Sequence, residues 1–470
     1  MNKKMQTVQR KLTPLNAWAF SFACMIGWGA FVMPGTVFLP KGGIRGSLLA
    51  FLVAAALMSV ISLNYHFLGN LYQRKGGIYN LVKMSTTRSH AFAAAWAMGL
   101  AHLCCLALNA RALGMLARTV MEVYLHIKFR VHLLGSGTLL VEAAVVALEM
   151  IIIGQINVRG IRQLSRIQTI GAVTLLSGIV IMLAAAIVTA ENPARALTPA
   201  YYPGTHPLRG FLAIFILMPW AYVGFDSLSK VTEATGFSTR RLGRILIIAV
   251  LCGTFAYIAN IFIALLGIPA DYAGWPAYLD KIETLSGVKA YPVLQTARNS
   301  MGKIGIIVFF AAAASATVTG LVGFSMSSSR LVYQMAEDGV LMKGLAELHP
   351  QRKTPANAVW SVVLVAFVLL VLLNTFDAVE ELASIATAVG YGYCSVSALY
   401  HAVRDKKTKY VVTGALGVAA AGTWVVFMLV PLEGINAGIS KEAIVFAAIW
   451  VFLGIFAYVF STRKKKSILK

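Results

Sequence analysis

Four ionisable side chains, Arg111, Glu142, Glu149 and Asp226, stand inside stretches apolar enough to lie within a bilayer. A charge at that depth is costly, so each is expected to have a partner or a task. Asp226 follows directly on "MPWAYVGFDS" (218–227), where Pro219 deletes a backbone donor and Gly224 loosens the helix ladder. A carboxylate at such a break could bind and release a proton as a pathway opens, or serve as a static ion pair or cap. Arg111, beside Asn109, could grip an acidic substrate, pair with Glu149 or Asp226, or snorkel outward; structural pairing is the expectation. Glu142 stands near the outer end of its stretch and reaches water, whereas Glu149 is deep enough to need a partner or a proton. Ser315, Thr317 and Thr319 could offer hydroxyls to Na⁺, or could simply be small residues at a helix contact. No other metal site and no cofactor is expected.

A second break lies in "MIGWGAFVMPG" (25–35), which places Gly27, Gly29, Pro34 and Gly35 inside an apolar run. Backbone in hydrocarbon must satisfy its own hydrogen bonds, so an unwound segment survives there only when buried in protein or lining a wet cavity. Glycine and proline also merely kink membrane helices or let neighbours approach. Position favours the stronger reading: five spans lead from Gly27 to Gly224, and matched interruptions in two halves point to an inverted repeat around a central site. Bare N–H groups at a half-helix end favour a carboxylate, while freed carbonyls favour an ammonium or a metal ion. An α-amino acid offers both charges at once.

The elements that must hold these residues follow from composition. The chain is 58% hydrophobic and 13% charged, with a mean hydropathy of +0.74, which is the profile of a polytopic membrane protein. Twelve apolar stretches are predicted to cross the bilayer: 17–38, 46–68, 91–116, 139–156, 167–188, 211–228, 245–266, 304–326, 358–373, 382–400, 411–429 and 443–460. Of the 41 Lys and Arg, 28 fall at the termini and in alternate loops, which places both termini in the cytoplasm. The net charge of +23 therefore belongs to loops rather than to one solvated face, and excludes nucleic acid as a partner. Five dispersed cysteines give neither a disulfide framework nor zinc spacing. The basic N-terminus has no small-residue cleavage site behind a short apolar core, so a retained first helix is expected. The segment from Pro269 to Met301 is a short helical lid or a plain linker.

These residues resemble the amino acid–polyamine–organocation (APC) superfamily of permeases, which share the LeuT fold of two inverted five-helix repeats. "GWGAF" (27–31) is similar to its helix 1 signature, "GGIY" (76–79) to its Gly-Gly-x-Tyr, and "WAYVGFDS" (220–227) to its helix 6 stretch; "SRLVYQMAEDGVL" (329–341) with "KTP" (353–355) is similar to the motif between helices 8 and 9. Trp28 stands where the family usually has a small residue, which would shrink the pocket. After helix 6, Glu233, Arg240 and Arg244 match the family pattern, but its second Glu and both prolines are missing.

The resemblance implies an all-α fold of twelve transmembrane helices, with repeats at 16–190 and 210–402, helices 11 and 12 at 408–461, and basic cytoplasmic tails at 1–14 and 462–470. It implies a secondary transporter of amino acids in the plasma (bacterial inner) membrane, working by alternating access as a monomer or homodimer. H⁺ symport, Na⁺ symport and amino-acid exchange are all open; some proton-coupled relatives carry a lysine in helix 5, and 167–188 holds no ionisable residue. It further implies that amides around Gly27, Trp28, Gly29 and Ala30 hold a substrate carboxylate, and that carbonyls of Ile26, Ala221, Tyr222 and Val223, next to Gly224, take its ammonium. Trp220 and Tyr222 would wall the pocket or simply pack. A polyamine or other organic cation is the alternative cargo. An intramembrane aspartyl protease is the remote alternative, but "VGFD" lacks the first glycine of Gly-x-Gly-Asp and Asp377 sits at a helix end, so no enzyme is expected.

Overall fold

The structure, a computed structural model, describes residues 12–72, 77–123, 130–133, 136–234, 237, 239–372, 376–430 and 439–468. Most of the basic N-terminal tail (1–11), residues 469–470 and Gly76 of "GGIY" lie outside them.

The chain begins with α1 (Pro14–Met25), whose first turn is fixed by a capping box between Thr13 and Asn16, a device worth about 1 kcal/mol. The helix stops at Ile26, which is extended (φ −104°, ψ 108°). Helix α2 (Gly29–Met33) then restarts the span and passes through a π turn at Pro34–Phe38 into α3 (Leu39–Leu71), which bends at Gly43 with φ +61°. Next come α4 (Ile78–Lys83) and α5 (Arg88–Val123).

Strands β1 (Arg130–Leu133) and β2 (Ser136–Leu139) pair antiparallel, with Arg130 opposite Leu139. This hairpin is a departure from an all-helical chain. It lies between the apolar stretches 91–116 and 139–156, meeting the second only at Leu139, where strands can form without facing lipid.

Beyond it run α6 (Leu140–Arg159), α7 (Ile161–Thr189) and α8 (Pro193–Ala196). The sixth apolar stretch divides into α9 (Pro207–Phe215), α10 (Met218–Tyr222) and a 3₁₀ helix over Phe225–Ala234. The rest comprises α11 (Thr239–Leu266), α12 (Trp275–Leu279), α13 (Pro292–Glu337), α14 (Ala356–Leu372), α15 (Phe376–Arg404), α16 (Thr408–Leu429) and α17 (Lys441–Ile468).

Among the described residues eight helices are long and apolar enough to cross a membrane, and Ala356–Leu372 is a shorter apolar one. The continuous count falls below twelve partly because α1 and the pieces of the sixth stretch are too short to qualify, while the second half of the first stretch runs on into α3. In the core, α13 packs along α7 and α5, and α15 along α16 and α5. Small residues permit this: a Cβ on Gly171 would lie 2.3 Å from the Thr319 methyl, and one on Gly178 2.8 Å from that of Ala312. By contrast, α17 exposes Phe452, Ile455, Phe456 and Phe460, as a lipid-facing helix does. No disulfide joins any of the five cysteines.

The segment after α11 is helical in part: α12 is followed by 3₁₀ turns at Ile282–Thr284 and Gly287–Ala290. It is anchored by Trp275 Nε1 donating to the Pro199 carbonyl (3.0 Å) and by the Tyr278 hydroxyl donating to that of Lys289 (2.6 Å). Tyr291, at its end, packs edge-on against Trp28 at 5.9 Å between centroids.

Candidate functional site

The two breaks meet. Gly224 has φ +114°, and a Cβ there would lie 2.8 Å from the backbone carbonyl carbon of Cys24. Both the left-handed backbone and the close approach demand glycine. Ser21 reinforces the junction by donating its hydroxyl hydrogen to the Phe225 carbonyl (3.1 Å).

A cavity of about 250 Å³ opens beside this junction, lined among others by Gly27, Trp28, Gly29, Val32, Thr36, Asn109, Trp220 and Val223. Pockets for drug-sized ligands run from roughly 300 Å³ upward, so this one suits a smaller solute.

Around it, peptide groups are left bare. Among the described residues the amides of Gly27, Trp28 and Gly29 have no backbone acceptor, whereas Ala30 already donates to the Gly27 carbonyl at 3.2 Å and Phe31 to that of Trp28 at 2.9 Å. The next turn of α2 thus uses the Ala30 amide, leaving three consecutive donors rather than four. The carbonyls of Ile26, Ala221, Tyr222 and Val223 accept no backbone bond among the described residues; of these residues Val223 lines the cavity, and Ile26, Ala221 and Tyr222 stand at the breaks beside it. Unpaired buried peptide groups are rare in folded proteins, and here they concentrate at one place.

Three side chains shape the cavity. Trp220 lies over Gly29, where a Cβ would come within 2.7 Å of its ring. Asn109 is held between Gly27 and Gly320, against which it leaves 2.7 and 2.8 Å for an added Cβ. Its Nδ2 donates to the Cys105 carbonyl (2.8 Å), and among the described residues its buried Oδ1 has no hydrogen-bond partner. Trp28 fills space as its size suggests, wedged edge-on between Tyr291 and Phe309. Tyr222 differs from its neighbour: fully buried, it donates to the Phe51 carbonyl (3.2 Å) and shares a hydrogen with Thr254 Oγ1 (2.7 Å). Consecutive helical residues two apart face different ways, so Trp220 lines the cavity and Tyr222 pins α10 to α3 and α11.

Asp226 and Arg111 have neighbours that the sequence did not point to, and the Glu142 side chain lies outside the described residues. Asp226 and His102, on α5, are both fully buried, with carboxylate and imidazole 3.8 Å apart. His102 was missed, although a histidine in the middle of an apolar helix is itself a signal. Arg111 places its guanidinium 4.9 Å from the centre of the Phe376 ring, a cation–π contact. Of its two expected partners, Glu149 has both oxygens buried without a hydrogen-bond partner among the described residues, and Asp226 lies beside His102. Asp377 and Glu380, at the start of α15, also line the cavity; neither was singled out as a binding residue, because a carboxylate near a helix N-terminus reads as an ordinary cap.

The hydroxyl residues of α13 separate. Thr319 donates to the Ala23 carbonyl of α1 (3.2 Å), shared with that of Ser315 (2.8 Å), and its own carbonyl takes a hydrogen bond from Gln168 of α7 (2.7 Å). Thr317 bonds only back along its helix, to the Ala313 carbonyl (2.8 Å), and Ser315 is half-buried.

A second junction joins two of the quoted motifs. Tyr79 donates to Asp338 (2.5 Å), Lys83 lies 2.6 Å from the same carboxylate and Arg88 3.3 Å. Gly77, at φ +90°, leaves only 2.6 Å for a Cβ against the Gln334 amide. Burial pushes the Asp338 carboxyl up, but the bonds from Lys83 and Tyr79 and the charges of Lys83 and Arg88 outweigh it and hold the group below its usual range.

The chain is similar to known proteins along nearly its whole length. Residues 12–456 match the amino acid permease family. The chain is 24% identical to the branched-chain amino acid permease BcaP of Lactococcus lactis subsp. cremoris, over 97% of this chain and 95% of that protein. It is 26% identical to cationic amino acid transporter 4 of Mus musculus, over 83% of this chain and 59% of that one, and 24% identical to the methylthioribose transporter of Bacillus subtilis, over 77% and 75%. With nearly its whole length matched and its relatives permeases and transporters rather than enzymes, the chain belongs to the amino acid permease family of the APC superfamily and is a multi-pass membrane protein.

Proposed function

We propose that the protein is a secondary amino acid transporter whose cargo sits between the two helix breaks, with its carboxylate on the amides of Gly27, Trp28 and Gly29 and its α-ammonium among the carbonyls of Ile26, Ala221, Tyr222 and Val223. Asn109 Oδ1 is a further acceptor within the same cavity. The observation that carries this reading is the contact of Gly224 with Cys24 beside a small cavity where both donors and acceptors are bare. Opposed half-helix ends complement a zwitterion.

In this reading twelve spans form inverted repeats at 16–190 and 210–402, with α16 and α17 outside them. Both termini are cytoplasmic in the plasma membrane, corresponding to the bacterial inner membrane, as the Lys and Arg distribution supports. Alternating access works by one repeat moving against the other.

Coupling to protons draws support from the buried Asp226–His102 pair directly below the break, because a carboxylate and an imidazole can share a proton that a moving helix redistributes. Na⁺ coupling finds less support. The Ala23 carbonyl that would ligate a cation already takes the Thr319 hydrogen, and Gln168 occupies the carbonyl of Thr319 itself.

Uptake of labelled amino acids into proteoliposomes, with and without a pH gradient or Na⁺, tests the reading. Acceleration by an inward proton gradient is expected, and Asp226→Asn should keep exchange while losing that acceleration. If none of the twenty amino acids is transported or shifts the melting temperature, the proposal fails.

A further inference from the structure

Transport of a zwitterion leaves one feature of the cavity without a use. Glu380 is only 8% exposed, lines the same cavity as Gly27 and Asn109, and makes no hydrogen bond or ion pair among the described residues. Its oxygens are not sealed in packing, so the carboxylate faces the open space. Asp377 stands three residues earlier, on the same helix face, and lines the cavity from an exposed position.

The charges around Glu380 do not neutralise it by contact. Its own helix adds Asp377 and Glu381, both negative, and Lys41 of α3 acts on it electrostatically without forming an ion pair. The nearby Arg111 guanidinium lies over Phe376. A carboxyl taken out of water without a partner is costly when charged and holds a proton instead, and one that lines an open cavity can release that proton to pair with an arriving cation.

We propose that the cargo is an amino acid whose side chain carries a positive charge, an ammonium or a guanidinium, and that Glu380 receives it with Asp377 as the outer anion. This rests on the placement of the backbone of the substrate at the breaks. The wall between the two ends supplies Val32 and Met33 from α2, apolar surface suited to an aliphatic stem. A simple diamine would satisfy Glu380 but leave the three bare amides facing no anion. A neutral amino acid would satisfy the amides but leave the Glu380 carboxyl protonated and without a partner. Only a substrate with one anion and two cations meets all three ends.

Binding to the purified full-length protein, with lysine, leucine and cadaverine as probes, is the test, followed by proteoliposome uptake. Wild type should bind lysine at least about tenfold more tightly than leucine or cadaverine, and Glu380→Gln should reduce the lysine-to-leucine affinity ratio by about 10- to 100-fold. Leucine binding as tight as lysine in wild type, a readout that needs no variant, overturns the inference while leaving the transport reading intact. So does a Glu380→Gln variant that weakens both equally. Absence of binding by every amino acid would instead sink the placement at the breaks.

Discussion

The cavity at the breaks and the junction at Asp338 are each built from two family motifs brought together over long sequence distances, yet they are opposites chemically. At Asp338 three donors converge on one carboxylate, at 2.5, 2.6 and 3.3 Å. At the breaks, amides and carbonyls are left over, and Asn109 Oδ1 and the Glu380 carboxylate add to the surplus. Satisfied groups hold two elements together, whereas unsatisfied ones await a ligand. Glycine serves both places by geometry: Gly224 and Gly77 adopt positive φ where a neighbour leaves no room for a side chain. The difference lies in what surrounds the glycine, side-chain charge in one case and bare backbone in the other.

Three substitutions would break or sharpen that contrast. The largest effect is expected for Gly224→Ala. A left-handed alanine costs about 1–2 kcal/mol, and its Cβ would clash with Cys24 backbone that no rotamer change can move. Uptake should fall by at least about 100-fold, with a melting temperature lower by several degrees. Near-normal uptake would show that the junction of the breaks is not needed.

Next comes Asp338→Asn, which removes the charge but keeps an acceptor for Tyr79. The loss should be about 1 kcal/mol, read as a modest fall in melting temperature with substrate affinity unchanged. Its pH dependence has a definite sign. The carboxyl is held below its usual value in the folded protein, so its contribution is complete above the unfolded value and is lost as pH falls through the folded one. The gap in melting temperature between wild type and variant should stay constant from about pH 5 to pH 8 and close below about pH 4. A gap that grows on acidification would contradict the assignment.

The smallest effect belongs to Thr319→Val, which deletes the hydroxyl bonded to the Ala23 carbonyl. About 1 kcal/mol of stability should go, uptake should change less than about threefold, and added Na⁺ should make no difference. Na⁺-dependent uptake in wild type that vanishes in the variant would instead place a cation there.

Much of the site was legible in the residues themselves. The breaks at Gly27 and Gly224 appear where "GWGAF" and "YVGFDS" put them, because a glycine or proline disrupts a helix ladder through local sterics and lost donors alone. The illegible parts are those set by which way a helix faces. Trp220 and Tyr222 looked equivalent, yet one lines the cavity and the other is tied to Thr254 and Phe51. Arg111 was expected to pair with Glu149 or Asp226, and its guanidinium lies over Phe376 while Asp226 meets His102. His102 and Glu380 drew no attention, since nothing nearby in sequence marks them.

Composition, the interrupted runs and the alternation of basic loops were determined by the sequence, because each is a property of single segments against a bilayer: apolar length, backbone continuity and local charge. Partner choice was decided only by the tertiary structure. Helices that are apolar on every side carry no periodic signal of which face meets lipid and which meets a neighbour. Packing alone therefore brought Asp226 to His102, set Asn109 between two glycines, and turned Glu380 towards the cavity.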